Sequence, residues 1–397
     1  MTRSNSHAPS DAALRRARAR IEELGRGLPD PMTLFARLND VLPAVTGADG
    51  VCGLTLDPAT LLHTGGFHDK GVPHTHLPRL LEIEHGEADV NQFPDLARGD
   101  RIAAGLWRET GDRPLRSTRY RDVYRPAGMG DEVRVLLCGG RTVWGALVLH
   151  RGGDRPAFSD AEIAAVSSLA PLIAPALRRA YLRHDVITAA TPDPAASPDP
   201  AASPGPAASP GPAAPGLLTF DPDGELDGVT ATGHRWLDEL GGTASGAGGP
   251  VGRLPQPVLH ARSKARATGE STARVRGRTG QWLSLTATRM DTAGRTAVVV
   301  QPSRPEHVVG IMMEAYGLTA REQHIAALVV YGRSDSEIAN DLGISPHTVR
   351  DHLKKVFDKT GTNSRGRLLQ LLYFRHYRPD VERGRGMGSR GWLTTAP

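Results

Sequence analysis

Residues 318–365 read LTAREQHIAALVVYGRSDSEIANDLGISPHTVRDHLKKVFDKTGTNSR. Three helix starts are written into this stretch. Thr319-Ala-Arg-Glu322 and Ser334-Asp-Ser-Glu337 are capping boxes: the hydroxyl accepts from the third helical amide, and the carboxylate returns to the N–H of the cap. Ser345-Pro346 sets a cap before a proline at the first helical position, where the missing N–H costs nothing. Apolar residues then recur at helical spacing: Ile325, Ala326 and Val329; Ile338, Ala339 and Leu342; Val349, Leu353 and Val356. Gly343 falls in the short turn between the second and third helices, and two short helices around such a turn form a helix-turn-helix.

The third helix separates its faces. At 100° per residue, Val349, Leu353, Val356 and Thr360 share one sector. His347, Arg350, Asp351, Lys354 and Asp358 project opposite, with Thr348, His352, Lys355 and Lys359 along a flank. A major groove admits a helix; Arg or Lys reads guanine O6 and N7, and flanking basic residues neutralise phosphate. Capping and amphipathicity alone also fit a small structural bundle with a solvated charged face.

The stretch resembles the LuxR-type helix-turn-helix nearly end to end. Leu318, Thr319, Arg321, Glu322, Gly332, Ser334, Glu337, Ile338, Ala339, Leu342, Ile344, Ser345, Thr348, Val349, His352, Lys359 and Arg365 match that pattern. Thr360 and Thr362 depart from it, standing where the family usually has aliphatic residues. The resemblance implies an all-α four-helix domain over residues 314–376 that binds double-stranded DNA. It makes Arg350, Asp351 and Lys354 base-edge candidates, sets Thr348, His352 and Lys355 near the backbone, and adds Ser345, His347 and Lys359 to the DNA-binding set. It also implies a homodimer on DNA through a fourth helix bearing Leu368, Leu369, Leu372 and Tyr373, and a contact with RNA polymerase.

Charge agrees with a polyanion partner. Of a net +5 over 397 residues, Pro346 to Arg390 holds 11 Lys and Arg against 4 Asp and Glu, a local +7. Charge alone is equally satisfied by a solvated basic tail. Working back, residues 191–215 are four copies of Ser/Thr-Pro-Asp/Gly-Pro-Ala-Ala followed by Pro. Alternate prolines remove backbone donors and fix φ, so a polyproline-II-like spacer is expected. A disordered tail is expected over 379–397.

Residues 1–29 are expected as an N-terminal helix with Leu14, Ala17, Ile21 and Leu24 on one stripe, and Leu34, Leu38 and Leu42 continue at helical spacing. Val51–Leu56, Val133–Leu137 and Val143–Leu149 read as strands, with Gly139-Gly140-Arg141 as a hairpin turn between the last two. The intervening stretch reads as a long loop. Ser159-Asp-Ala-Glu162 caps an exit helix that Pro171 and Pro175 are expected to bend. RVLLCGGRTVWGALVLHR followed by FSDAEIAAVSSLA resembles the last strands and final helix of the GAF sensor family, so residues 30–188 are expected as a GAF-like domain with a small-molecule ligand. Residues 216–303, with a strand then a turn over 216–224, a short helix around Trp236, Leu237 and Leu240, and closing strands within 274–287 and 296–300, are similar to a PAS domain. The fold class is thus multidomain α+β: GAF-like and PAS-like sensor domains, then the helical domain.

Four histidines, His63, His68, His74 and His76, cluster with Asp69, and imidazole with carboxylate suits zinc or iron. They fall in a Gly- and Pro-containing segment with no helical i, i+4 pair, so a polar loop is the preferred reading and no metal site is assigned. Cys52 and Cys138 lie on expected strands; a buried apolar role is the default, and a GAF-type thiol redox enzyme or sensor is the alternative function. No P-loop, nucleophile elbow, metalloprotease or dinucleotide motif occurs, so no enzyme activity and no catalytic residue are assigned. No cofactor can be named. Two distant cysteines, no secretion signal and no run of 18 apolar residues predict a cytoplasmic protein without a membrane span.

Overall fold

The computed structural model describes residues 9–27, 30–140, 142–188, 214–241 and 254–375. The expected tail, and all of the spacer but Ala214 and Pro215, lie outside the described residues, as does Arg141 of the hairpin turn. The chain divides into two compact units, the first holding both sheets and the second the helices from Pro302 onward.

The first sheet contains β1 (Gly50–Leu56), β2 (His63–His68), β3 (Ala103–Gly105), β4 (Met129–Gly139) and β5 (Thr142–Gly152), in the order β2-β1-β5-β4-β3. Neighbouring strands in it run antiparallel. The β4–β5 hairpin forms as expected, with Gly140 in the left-handed region at φ +66°. β1 is buried along its whole length because both faces are covered. On one face Phe35, from the helix Pro31–Asn39, lies so close over Gly53 that a Cβ there would stand 2.1 Å from the ring. On the other, Cys52, Leu54 and Leu56 join Phe93, Leu96 and Val148 in a core. The helix Asp160–Thr188 opens on the expected box, with Ser159 N–H donating to Glu162 at 2.8 Å, and carries Pro171 and Pro175 inside it. Over Asp160–Leu182 it is long and apolar enough to cross a membrane by length and composition alone, although it is no unbroken apolar run. Half of that stretch, however, is buried against the rest of the unit.

Three expectations need correction here. Leu42 does not continue the helix of Leu34 and Leu38; that helix ends at Asn39, and Leu42 caps a separate turn over Pro43–Thr46. All three leucines are nonetheless buried, each with no exposed surface. The long loop before β4 contains β2, β3 and the helix Leu77–Gly86. Accordingly His63 is a buried strand residue rather than part of a polar loop.

The second sheet contains β6 (Gly216–Phe220), β7 (Leu226–Val229), β8 (Glu270–Arg276), β9 (Trp282–Arg289) and β10 (Thr296–Pro302), ordered β7-β6-β10-β9-β8. Counted within each sheet the strand order is the same, 2-1-5-4-3. Its core of Leu218, Phe220, Trp236, Leu283 and Val298 also takes in Leu62, from the connection between β1 and β2. Five residues earlier, Asp57 has no exposed side chain; it accepts the Arg274 amide at 2.7 Å and the Arg274 guanidinium at 2.7 Å. An apolar residue and a buried ion pair are thus among the contacts that bind the sheets together.

A buried charge cluster crosses the first sheet. Glu132 accepts from Arg119 at 2.9 Å, from Arg134 at 3.0 Å and from the Tyr124 hydroxyl, and Arg134 also reaches Glu84 at 2.8 Å. Burial pushes the Glu132 carboxyl up, but the Arg119 and Arg134 guanidiniums outweigh it and hold it down at about 2.

In the second unit, the helices Ala320–Val330, Asp335–Leu342 and Pro346–Thr360 start at Thr319, Ser334 and Ser345 as expected. Gly343 caps the second in the left-handed region at φ +62°. A helix over Pro305–Ala315 precedes them, and the last helix, Arg365–Leu369, widens into a π turn over Gln370–Arg375. Polar struts cross between these helices. Arg321 donates to the Leu342 carbonyl at 3.2 Å, while Arg365 donates to the Arg333 carbonyl at 2.6 Å and pairs with Asp335. The Lys359 ammonium binds Glu322, 5% exposed, at 2.6 Å. Burial raises the Glu322 carboxyl, but the Lys359 bond and the Thr319 amide outweigh it and hold it below its usual range. Thr360 is buried where an aliphatic residue was expected; its hydroxyl is satisfied by the Val356 carbonyl and Thr362, each at 2.8 Å.

Leu368 and Leu372 have no exposed surface within the single chain, and Leu369 is half-buried. The Tyr373 side chain lies outside the described residues. Leu368 and Leu372 are therefore core residues here, not a free dimer face. An apolar stripe marks a face that needs covering without saying whether another helix or another copy covers it, and here the helices Pro305–Ala315 and Ala320–Val330 pack against that segment.

Three outcomes are expected. Leu372→Ala should destabilise the C-terminal unit by about 2–5 kcal/mol, equally at low and high protein concentration in denaturant titrations; a concentration-dependent loss would return Leu372 to an interface. Lys359→Ala should cost about 1–3 kcal/mol by leaving a buried carboxylate unpaired, and an unchanged unfolding midpoint would remove its role as a strut. Because the Glu132 carboxyl is depressed in the fold, its contribution is complete above the unfolded-state value of 4.5 and is lost as pH falls through about 2. Acid titration followed by circular dichroism should show that loss, and Glu132→Gln should flatten it; an identical pH profile in the variant would exclude Glu132 as its source.

Candidate functional site

Ser345 fixes where the third helix begins: its hydroxyl accepts the Thr348 amide at 3.1 Å and contacts the Thr348 hydroxyl at 2.9 Å. From there the helix rises in register with its core. Val349, Leu353, Val356 and Thr360 are buried, which rolls Arg350, Asp351, Lys354 and Lys355 to the exposed side. His347 is exposed and meets Asp351 at 3.1 Å. Thr348 and His352 are half-buried at the flanks. Arg350 leans back on the Pro346 carbonyl at 3.4 Å, and among the described residues Lys354 and Lys355 engage no partner.

Eight of the nine expected DNA-binding residues therefore lie on or beside one exposed face. Lys359 does not present a free charge, because its ammonium is held by Glu322. Helical spacing alone sets Lys359 on the flank but cannot show that a carboxylate from another helix reaches it. Chemically, the face offers a guanidinium and an ammonium one turn apart, a carboxylate acceptor between them, and a second ammonium at the edge. That is the donor and acceptor set that reads base edges and neutralises phosphate.

The first unit holds a cavity of about 690 Å³. Its floor is the face of β1 and β5 that carries Leu54, Leu56 and Val148; its roof is the helix Leu77–Gly86. The helix Gln256–Thr268, which packs on the second sheet, supplies the remaining wall with His260 and Lys264. His260 is locked by two imidazoles, Nε2 to His63 Nδ1 at 2.8 Å and Nδ1 to His85 Nε2 at 3.0 Å. Burial depresses all three, His63 to about 3, His85 to about 4 and His260 well below its usual value, so the chain of rings is neutral at pH 7.

Of the four histidines singled out in the sequence, His63, His68 and His74 line this cavity, while His85 and His260 were missed. A signal for His260 existed: Val258, Leu259, Ala261 and Ala265 follow Pro257 at helical spacing. Among the described residues, no three His, Cys, Asp or Glu side chains are grouped to hold a metal ion. Burial pushes the Cys52 thiol up to about 12 and raises Cys138 as well, the opposite of what a thiolate nucleophile needs.

Residues 317–372 match the family of bacterial regulatory proteins, luxR family. No curated protein matches the chain. Among solved structures, the chain is similar to the GAF domain of the cyanobacteriochrome TePixJ, at 18% identity and TM-score 0.31, over 40% of this chain and 95% of that one. It is similar also to a GAF domain/HD domain protein from Geobacter sulfurreducens, at 19% identity and TM-score 0.30, over 41% and 99%. A third is the Vibrio cholerae VqmA dimer, described with LuxR-type receptors, at 18% identity and TM-score 0.17, over 43% and 82%. These three likenesses are too distant to carry a role for any residue. The family match and the capped, one-sided third helix agree, and the C-terminal domain of this chain belongs to the luxR family of bacterial regulatory proteins.

Proposed function

We propose that the protein is a sequence-specific transcriptional regulator that inserts the helix Pro346–Thr360 into the DNA major groove and answers to a small molecule held in its first unit. The observation that carries this reading is the face of Arg350, Asp351, Lys354 and Lys355, exposed on a helix whose opposite face is fully buried. Helix-turn-helix modules engage paired half-sites as dimers, so the protein acts on DNA as a homodimer. RNA polymerase is the partner that would convert binding into altered transcription, and the cytoplasm is where both meet. The first unit is read as a GAF-like sensor with a PAS-like sheet beside it. Two shielded, unactivated cysteines favour sensing by binding over thiol chemistry.

Selection of binding sites by the purified full chain tests the reading directly. Arg350→Ala should cost about 1–3 kcal/mol on a selected duplex and relax preference at one base position. Lys355→Ala should weaken selected and random duplexes alike and lower the slope of log K against log salt by about one. If selection returns no preferred sequence, or Arg350→Ala lowers both affinities equally, sequence-specific recognition by this face is refuted.

A further inference from the structure

The cavity wall carries five charged side chains: Glu84, Glu87, Glu132, Arg134 and Lys264. Four of them are spoken for. Arg134 pairs with Glu84 at 2.8 Å and with Glu132 at 3.0 Å, and Glu87 is bound by Arg79. Lys264 differs. Its ammonium touches a neutral group, the Thr60 carbonyl, at 3.5 Å, and among the described residues no carboxylate reaches it. His85, close enough to feel its charge, is a ring that burial keeps neutral. A half-buried ammonium with no counter-charge beside an apolar cavity is an unfavourable arrangement unless an anion completes it.

The rest of the wall limits what that anion can be. The floor is aliphatic, and the His63–His260–His85 chain spends its facing nitrogens on one another. A small hydrated ion would leave the aliphatic floor uncovered. A volume of about 690 Å³ lies within the range that takes a drug-sized organic molecule.

Resting on the sensor reading given above, we infer that the cavity binds an organic monoanion with an apolar body, and that Lys264 of the helix Gln256–Thr268 is the residue that selects the charge. The ligand's apolar part lies on Leu54, Leu56 and Val148 of the first sheet, while its anionic head meets a residue whose helix packs on the second. Occupancy therefore adds an attraction across the two sheets to those already made by Leu62, the Asp57–Arg274 pair and the histidine chain.

Calorimetry on the full chain with n-decanoate and n-decanol, which differ in the charged head, tests this. Decanoate should bind about tenfold more tightly than decanol, the worth of a hydrogen bond to a charged group. Lys264→Gln should bring decanoate down to the affinity of decanol and leave decanol unchanged. Lys264→Arg should keep the preference, and it guards against a fold lost through the glutamine. Leu80→Trp, which fills the cavity, should abolish both probes and so locate them. Equal binding of both probes to the unaltered protein, or an equal loss of both in Lys264→Gln, overturns the charge selection while leaving a ligand-binding cavity. Binding of neither probe, or binding that survives Leu80→Trp, overturns the inference together with the sensor reading of this cavity.

Discussion

Short helices leave a large share of their backbone amides without an internal partner, and the C-terminal domain depends on how that constraint is met. Its four helices after Gly317 are 11, 8, 15 and 5 residues long, lengths at or below what survives alone in water. Each begins on a hydroxyl, Thr319, Ser334, Ser345 or Ser364, accepting an amide of its own first turn. A cap of this kind contributes about 0.5–2 kcal/mol, which matters most where a helix has few bonds of its own. The caps also set phase. Because Ser345 fixes the first residue of the third helix, it fixes which side chains meet the core and which remain exposed.

The first unit meets a different constraint, charge placed where water does not reach. Asp57, Arg119, Glu132 and Arg134 are almost wholly buried, and each has an opposite charge within hydrogen-bonding distance. Buried pairs of this kind are a weak source of net stability, but removing one partner is costly. Their effect is to make alternative packings expensive. The Asp57–Arg274 pair does this for the arrangement of the two sheets, and the cluster around Glu132 does it for the helix Leu77–Gly86, through Glu84.

What could be read in the sequence divides along the range of the interactions involved. Caps, the β4–β5 hairpin and the faces of the third helix were legible because each is written within a few residues. β2 was not: His63-Thr-Gly-Gly-Phe-His68 has two glycines and no apolar alternation, and it becomes a strand by pairing with β1. β3, three residues long, depends on β4 in the same way. The intrachain partners of Lys359 and Leu372 were not legible, since Glu322 and the helix Pro305–Ala315 reach them from 37 and more than 50 residues away. The cavity was invisible for the same reason: His63, His85 and His260 meet from three separate stretches of chain.

Long-range partnering also changes how the charge of the DNA-binding face should be counted. The pattern of matched residues includes both Arg321 and Arg365, and the local excess of basic residues was read as an attraction for phosphate. In the fold, Arg321 is held by the Leu342 carbonyl, Arg365 by the Arg333 carbonyl and Asp335, and Lys359 by Glu322. These three cations are occupied in keeping four short helices together. Of the basic residues on the third helix, Arg350, Lys354 and Lys355 remain with no acidic partner among the described residues. Since each neutralised phosphate releases counterions, the salt dependence of binding follows the free cations rather than the total. On the proposed reading, the domain's affinity for DNA would be set by fewer charges than its composition suggests, and more of the discrimination between sites would fall to Arg350 and Asp351.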